Sequence, residues 1–333
     1  MNTSTSELYS VSVVIPANDA EKYIARAIES VLSQTRGADE IIVVDDGSTD
    51  DTAGEVQRYK GKVRYLRQEN QGVFTACNTG IKSARGEWIG FLDAEDEWLP
   101  EKLKVQMAHL RRNPQLVWTH GDFYRHISQE NRPGPVRDAS KVELLLGGKE
   151  YFDSYFWAFL TGFYAWAGTL IVKRRVLVER GLFRGGQSGA NDTDMWFRIA
   201  YRWPQIGYTN QPLAINHIDK SKEITKAPNQ LKDYSDLVER HLKLASQEGC
   251  SEQFRPCAVR MLETLIRRMV KQHRGAEALA VLERFEDLLD RRFIKETRFR
   301  TRWPRAAWAC LGVSSFMNKI LRPDRQKVQR GEI

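Results

Sequence analysis

At 333 residues with 41% hydrophobic and 28% charged positions, the chain can bury one large core, or a core with an appended unit, and is not a disordered polymer. Four scattered cysteines (Cys77, Cys250, Cys257, Cys310) without a Cys-x-x-Cys pair argue against a zinc ribbon, a redox pair or a disulfide framework, and favour a reducing compartment. The net charge of +8 is uneven: Arg291–Ile333 holds twelve Lys/Arg against three Asp/Glu, which leaves 39 basic and 40 acidic residues in Met1–Asp290, so the tail carries the whole excess.

Met1–Ser10 is polar and has no apolar segment of the signal-peptide kind. Val11–Ile15, closed by Pro16, predicts a buried strand, and Glu21–Gln34 a helix with Ile24, Ile28, Val31 and Leu32 on one face. Ile41–Val44 predicts a second strand that runs into Asp45-Asp46-Gly47-Ser48. A helix is expected over Thr49–Tyr59, a third strand over Val63–Leu66, and a helix from Gly72 to Ala84. Trp88–Leu92 predicts a fourth strand, ending in Asp93-Ala94-Glu95-Asp96-Glu97. This strict alternation with short connections predicts a parallel sheet with crossover helices.

Polar or acidic residues sit at three successive strand tips: Asn18-Asp19, Asp45-Asp46 and Asp93 to Asp96. In an open α/β sheet, ligands bind in the crevice beyond those tips. Carboxylates separated by a spacer there suit a hard divalent cation that bridges substrate phosphates. The alternative is that Asp96 or Glu97 only caps the helix after Pro100.

Further along, Glu101–Arg112 reads as an amphipathic helix and Leu116–Thr119 as a strand. Tyr124–Lys149 reads as a polar loop that closes over something. Phe156–Val172 is uncharged and looks superficially like a membrane span, but its glycines, threonines and aromatics weigh against one. A span would also put the acids near Asp93 and Asp192 on opposite sides of a bilayer. Thr169–Val172 reads as a strand and Asp194–Trp203 as a helix. After about Thr225 come long helical patterns over Gln230–Glu248, Glu252–Gln272 and Gly275–Phe293. The expected organisation is residues 1–225 as the α/β domain and 226–333 as a helical region with a basic, aromatic-rich tail.

The segments Val13-Val14-Ile15-Pro16-Ala17, Val43-Val44-Asp45-Asp46-Gly47-Ser48-Thr49-Asp50, Asn70-Gln71-Gly72, Asn78-Thr79-Gly80 and Phe91-Leu92-Asp93-Ala94-Glu95-Asp96 follow one another at the spacing of a known family. The chain resembles the family 2 glycosyltransferases of the nucleotide-diphosphosugar transferase (GT-A) fold, over roughly Val11–Tyr208. The resemblance implies a Rossmann-like, mostly parallel sheet flanked by helices. It implies that Pro16 and Ala17 border the nucleotide base, that Asp46 receives the uracil imide hydrogen, and that Gly72 and Asn78 line the nucleotide pocket. Asp93 and Glu95 correspond to the family's D-x-D, touching ribose and a Mn²⁺ or Mg²⁺ ion. Asp192 corresponds to the general base, and a helix N-terminus would keep it ionised.

Asp194 is a rival base by position, and Asp192 could merely cap its helix. Asp46 could serve only as a turn former. His217 could close the metal site or be an ordinary histidine. The sequence departs from the family pattern at Asn18 (usually aromatic), Cys77 (often Arg), Glu95 (usually Asp) and Asn191 (usually Glu). Arg202-Trp203 occurs without the Gln of the processive Gln-x-x-Arg-Trp motif, Ile199 standing in its place, which implies single additions.

The implied activity is an inverting, metal-dependent transfer of one sugar from a nucleoside diphosphate, UDP being expected, to a glycan or lipid-linked acceptor. A catalytically inactive binding module of the same fold is the alternative. The absence of Gly-x-Gly-x-x-Gly after Ile15 argues against a dehydrogenase. The basic tail, with Phe299, Trp303, Trp308, Leu311, Phe316 and Leu321 interleaved, suits an anionic membrane surface at the cytoplasmic face, or a solvated helical face. Nucleic acid is not expected, since no nucleic-acid-binding motif accompanies the charge.

Overall fold

The computed structural model describes residues 9–127, 134–135, 137–185, 191–218 and 230–302. The chain divides into two compact units, Met1–Cys257 and Ala258–Ile333.

The first unit is built on one sheet. Its leading strands are β1 (Val11–Ala17), β2 (Glu40–Asp46), β3 (Arg64–Gln68) and β4 (Trp88–Phe91). They pair in parallel in the order β3-β2-β1-β4. The helices α1 (Ile24–Leu32), α2 (Thr52–Gln57) and α3 (Val73–Ser83) connect them. β1, β2 and β4 are buried on both faces because helices cover a parallel sheet, whereas the edge strand β3 is half-buried. Val11, Val13, Ile15, Val43 and Leu92 are buried together with Ile24, Ile28 and Val31 of α1. The order reverses at β1, so the carboxyl ends of β1 and β4 flank a topological switch point.

Past β4 the sheet becomes mixed. It continues through β9 (Ile171–Lys173), β6 (Trp118–Ile127), β10 (Ile206–Ile218) and β5 (Glu97–Trp98). β9 is antiparallel to both β4 and β6, whereas β10 runs parallel to β6 and antiparallel to β5. Two short strands, β7 (Gly134–Pro135) and β8 (Tyr151–Phe152), pair with β6 and β10. Helix α4 (Lys102–Arg112) buries Leu103, Met107 and Leu110.

The segment expected to be a loop, Tyr124–Lys149, contains the end of β6, β7 and a helix α5 (Ala139–Leu146). Asp138 starts α5 by accepting from the Ser140 and Lys141 amides at 2.9 and 3.3 Å, as N-cap aspartates do. Phe156–Val172 is not a span. It is a six-residue helix α6 (Tyr155–Leu160), a break at Gly162 (φ 96°), a short 3-10 turn at Ala167–Thr169, and β9. No described helix is long and apolar enough to cross a membrane. Helix α7 (Arg174–Glu179) precedes α8 (Asn191–Ala200), whose Phe197 meets Phe159 and Phe156 at 5.0 and 6.0 Å between ring centres.

The first unit continues past residue 225 through α9 (Gln230–Gln247) into the start of α10 (Ser251–Lys271). It does so because α9 sends His241 to Asp194 and Tyr201, and Phe254 packs on Phe197. The second unit contains the rest of α10, α11 (Gly275–Arg284) and α12 (Arg291–Arg302). In α12, Phe293 and Ile294 are buried, Arg267 lies 5.0 Å over the Phe293 ring, and Phe299 is exposed. The tail beyond residue 302, with Trp303, Trp308, Leu311, Phe316 and Leu321, lies outside the described residues.

Candidate active site

A cavity of about 420 Å³ opens at the carboxyl ends of the parallel strands, within the size range of small-molecule sites. Pro16 of β1 and Asn18, Asp19 and Tyr23 after it form one side, and Val73, Phe74 and Cys77 come from α3. Phe91, Asp93 and Glu95 come from β4 and its exit, while Trp166, Ala167, Phe183 and Asp192 complete the wall. Four carboxylates from three separate segments, Asp19, Asp93 with Glu95, and Asp192, therefore line one space.

Their electrostatics follow from that convergence. The Asp93 carboxyl is pushed up to about 6 by burial and then by the charges of Glu95 and Asp192, because crowding like charges in a poorly solvated place disfavours ionisation. Asp192 is also raised, by burial. The Thr193 amide and hydroxyl, at 2.6 and 3.3 Å, oppose this but do not overcome it. The helix terminus thus does not hold Asp192 in the low range expected from the dipole alone, because desolvation outweighs it. Cys77, in the place of a frequent arginine, has a thiol raised by burial and by Asp93 and Asp46, so it is an inert wall residue.

Other residues singled out in the sequence are not part of the cavity lining. Asp46 is buried, and its carboxylate accepts from the Gln71 amide (2.9 Å), the Gly72 amide (2.7 Å) and the Gln68 side chain (2.7 Å). It pins the turn that starts α3, where Gly72 adopts φ 89°, a conformation that glycine takes without strain. Asn78 donates to the Phe183 carbonyl at 2.7 Å and accepts from the Phe183 amide at 2.9 Å. It fixes an aromatic wall residue 105 positions away. Ala17 is buried in the core cluster. Asp46, Gly72, Asn78 and Ala17 are absent from the cavity lining.

His217 is not brought to the cavity wall either. Its Nδ1 lies 2.9 Å from His126 Nδ1 and its Nε2 3.3 Å from Glu97 Oε1, while its amide donates to Asp96 at 2.7 Å. Its two ring nitrogens therefore face opposite partners. Burial and the nearby Arg26 lower its pKa. Beside it, the buried Asp96 carboxyl is pushed up to about 8 by burial and the charge of Asp93.

The Glycosyl transferase family 2 profile matches residues 12–179, just over half of the chain. The chain belongs to this family. An uncharacterised glycosyltransferase of Rickettsia prowazekii is 30% identical over 256 residues, covering 73% of this chain and 77% of that protein. An Escherichia coli UDP-Glc:α-D-GlcNAc-diphosphoundecaprenol β-1,3-glucosyltransferase is 37% identical over 117 residues, 34% of this chain and 46% of that enzyme. The crystal structure of Staphylococcus aureus TarS with UDP-GlcNAc aligns at a TM-score of 0.60 and 18% identity, covering 87% of this chain and 86% of that one, which fixes the fold. The protein is thus a GT-A glycosyltransferase, of a family that acts on nucleotide sugars.

The transferase separates its two neighbouring acids sharply. Asp194 is fully buried, with Arg198 at 2.7 and 2.8 Å, His241 at 3.1 Å, Arg184 at 3.4 Å and Arg240 at 3.7 Å. Burial opposes its charge, but the bond from His241 and the charge of Arg198 hold its carboxyl down to about 2. It is held in an ion-pair cluster and is absent from the cavity lining.

Among the described residues no group of three side chains could by itself hold a metal ion. A hard divalent ion such as Mg²⁺ commonly takes one or two carboxylates and completes its shell with substrate phosphates and water. Asp93 and Glu95, two acids on the cavity with no cation among the lining residues, fit that pattern.

Sequence reasoning missed Tyr23, Phe74, Trp166 and Phe183 as wall residues. Phe74 carried a usable signal, since it sits three residues before Cys77 on one face of α3. Trp166 carried none.

Proposed function

We propose that the transferase is a metal-dependent, inverting enzyme. It moves a single sugar from a nucleoside diphosphate, UDP by expectation, to a glycan or lipid-linked acceptor in cell-surface polysaccharide synthesis. The observation that carries this reading is the shared cavity of Asp93, Glu95 and Asp192 at the strand ends. Asp93 and Glu95 would hold Mn²⁺ or Mg²⁺. When bound there, the ion neutralises the charge that develops on the departing diphosphate. Asp192 takes the proton of the acceptor hydroxyl as its oxygen attacks the anomeric carbon. The diphosphate leaves from the opposite face, so configuration inverts. Phe74 and Phe183, with ring centres 5.4 Å apart, would give an apolar wall to the nucleotide side, and Asp46 would support that side by fixing the Gly72 turn.

The sequence likeness to an enzyme named for UDP-Glc and a diphosphoundecaprenol acceptor supports a UDP donor and a lipid-linked acceptor, which would bring the enzyme to the cytoplasmic face of the membrane. Incubation with a panel of nucleotide sugars and Mn²⁺, assayed for release of nucleoside diphosphate, tests the reading. Release from a UDP-sugar that vanishes in Asp192→Asn supports it, and no release from any donor, with UDP failing to raise the melting temperature, refutes it.

A further inference from the structure

Trp166 lines the same cavity as Asp93, Glu95 and Asp192, yet it has no part in holding nucleotide or metal as described above. Its position is set from behind. The Phe123 ring lies 4.4 Å away, centre to centre. The indole also packs so closely on Gly168 that a Cβ there would sit 2.4 Å from two of its ring carbons. Gly168 is tied down in turn, because its carbonyl accepts from Trp98 Nε1 at 2.8 Å. The indole is therefore seated before any ligand arrives, and little side-chain freedom remains to be lost on binding. The residue as a whole is half-buried.

A pyranose ring carries an apolar C–H face and a rim of hydroxyls. A rigid aromatic surface flanked by carboxylates matches both. The nucleotide side of the cavity has its own apolar residues, Val73 and Phe74, whereas Trp166 comes from a different segment and shares the wall with the proposed base.

We propose that Trp166 is the platform that positions a sugar ring at the reacting end of the cavity. The proposal deepens the function given above and rests on it. The ring is either the donor's sugar or the acceptor's terminal sugar, since both present the same C–H face.

The test uses the full chain as wild type, Trp166→Phe, Trp166→Ala and Gly168→Ala. Titration calorimetry with Mn²⁺ measures the binding of UDP, UDP-glucose and UDP-N-acetylglucosamine. Saturation-transfer NMR on the UDP-loaded protein measures the binding of methyl β-glucoside and methyl β-N-acetylglucosaminide. The expected result is that UDP binding stays within about twofold in every variant, while sugar binding weakens about fivefold to tenfold in Trp166→Ala. Trp166→Phe should retain most of it. Gly168→Ala, which keeps the indole but displaces it, should reproduce the loss. A loss confined to the UDP-sugars assigns the ring to the donor, and one confined to the methyl glycosides assigns it to the acceptor. Unchanged sugar binding in Trp166→Ala overturns the proposal, as does a parallel loss of UDP, which would mark a collapsed wall. Wild type that fails to bind UDP at all is a different result, and it refutes the donor class itself.

Discussion

Asp192 and Asp194 lie two residues apart in the first turn of α8 and meet opposite environments. Asp192 faces the cavity, whereas Asp194 is buried under Arg198 at 2.7 Å and His241 at 3.1 Å. A helix turns about 200° over two residues, so one turn supplies both an acid that lines the cavity, the proposed base, and an acid buried in an ion-pair cluster. Removing each should then fail differently. Asp192→Asn is expected to cut transfer about a thousandfold or more with the melting temperature nearly unchanged. Asp194→Asn strands the buried Arg198 and should cost about 3–5 kcal/mol of stability. Parallel thermal melts and donor-turnover assays check the split. Comparable activity loss with intact stability in both variants would remove the distinction.

The same pair sets two different pH responses. Burial raises Asp192, and in its proposed role as base it works only when deprotonated. The acid limb of the rate profile should therefore lie above the ordinary aspartate value, and Asp192→Glu, if active, should move it. Asp194 acts on stability. Its carboxyl titrates at about 2 in the folded chain against a reference of 3.8. The unfolded chain takes up the proton first, so the stabilisation is complete above about pH 4 and is lost as pH falls toward 2. The loss should be about 2 kcal/mol. Urea unfolding between pH 5 and pH 2 measures it, and a flat profile would contradict the burial geometry.

Much of the first 112 residues was legible because parallel β-α units advertise themselves. Each strand is an apolar run, each helix has a clear face, and the connections are short. The acids at the strand tips followed directly from that grammar. β10 was not legible. Asn210, Pro212 and Asn216 interrupt its alternation, and its pairing with β6 shifts register on both sides of Pro212. The helix in Tyr124–Lys149 was hidden by its exposed face, with Leu144 pointing to solvent. Within the site, Asp192 and Asp194 could not be told apart because the deciding group, His241, lies 47 residues downstream. Phe183 and Trp166 arrive through contacts without local periodicity, such as the Asn78 bonds.

Asp93 and Glu95 should separate in a metal titration. Both acids line the cavity, and burial, followed by the charges of Glu95 and Asp192, raises the Asp93 carboxyl. A divalent ion in that place would relieve the repulsion. Chelation with EDTA is expected to abolish turnover, and Mn²⁺ or Mg²⁺ to restore it. Glu95→Gln should raise the metal concentration needed for half-maximal rate by about tenfold to a hundredfold, through loss of a charged ligand. Full activity in EDTA would count against the metal-dependent reading.

Gly80 offers a test of how the cavity wall is supported. It lies in α3, the helix that carries Val73, Phe74 and Cys77, and a Cβ at this position would come within 2.3 Å of Val14 Cγ1 on β1. Both partners are fully buried or nearly so, so the clash can be relieved only by moving the helix off the sheet. Gly80→Ala should therefore destabilise the protein by about 1–3 kcal/mol and also weaken UDP binding, since the displaced helix carries the wall proposed to face the nucleotide. Val14→Ala removes the clashing methyl groups. Alone it should cost roughly 1–2 kcal/mol as a cavity mutation, but combined with Gly80→Ala it should recover stability and UDP affinity together. The double-mutant cycle then gives a favourable coupling on the order of 1 kcal/mol. Simple additivity of the two substitutions would mean that α3 and β1 adjust independently, and that the wall is not held by this contact.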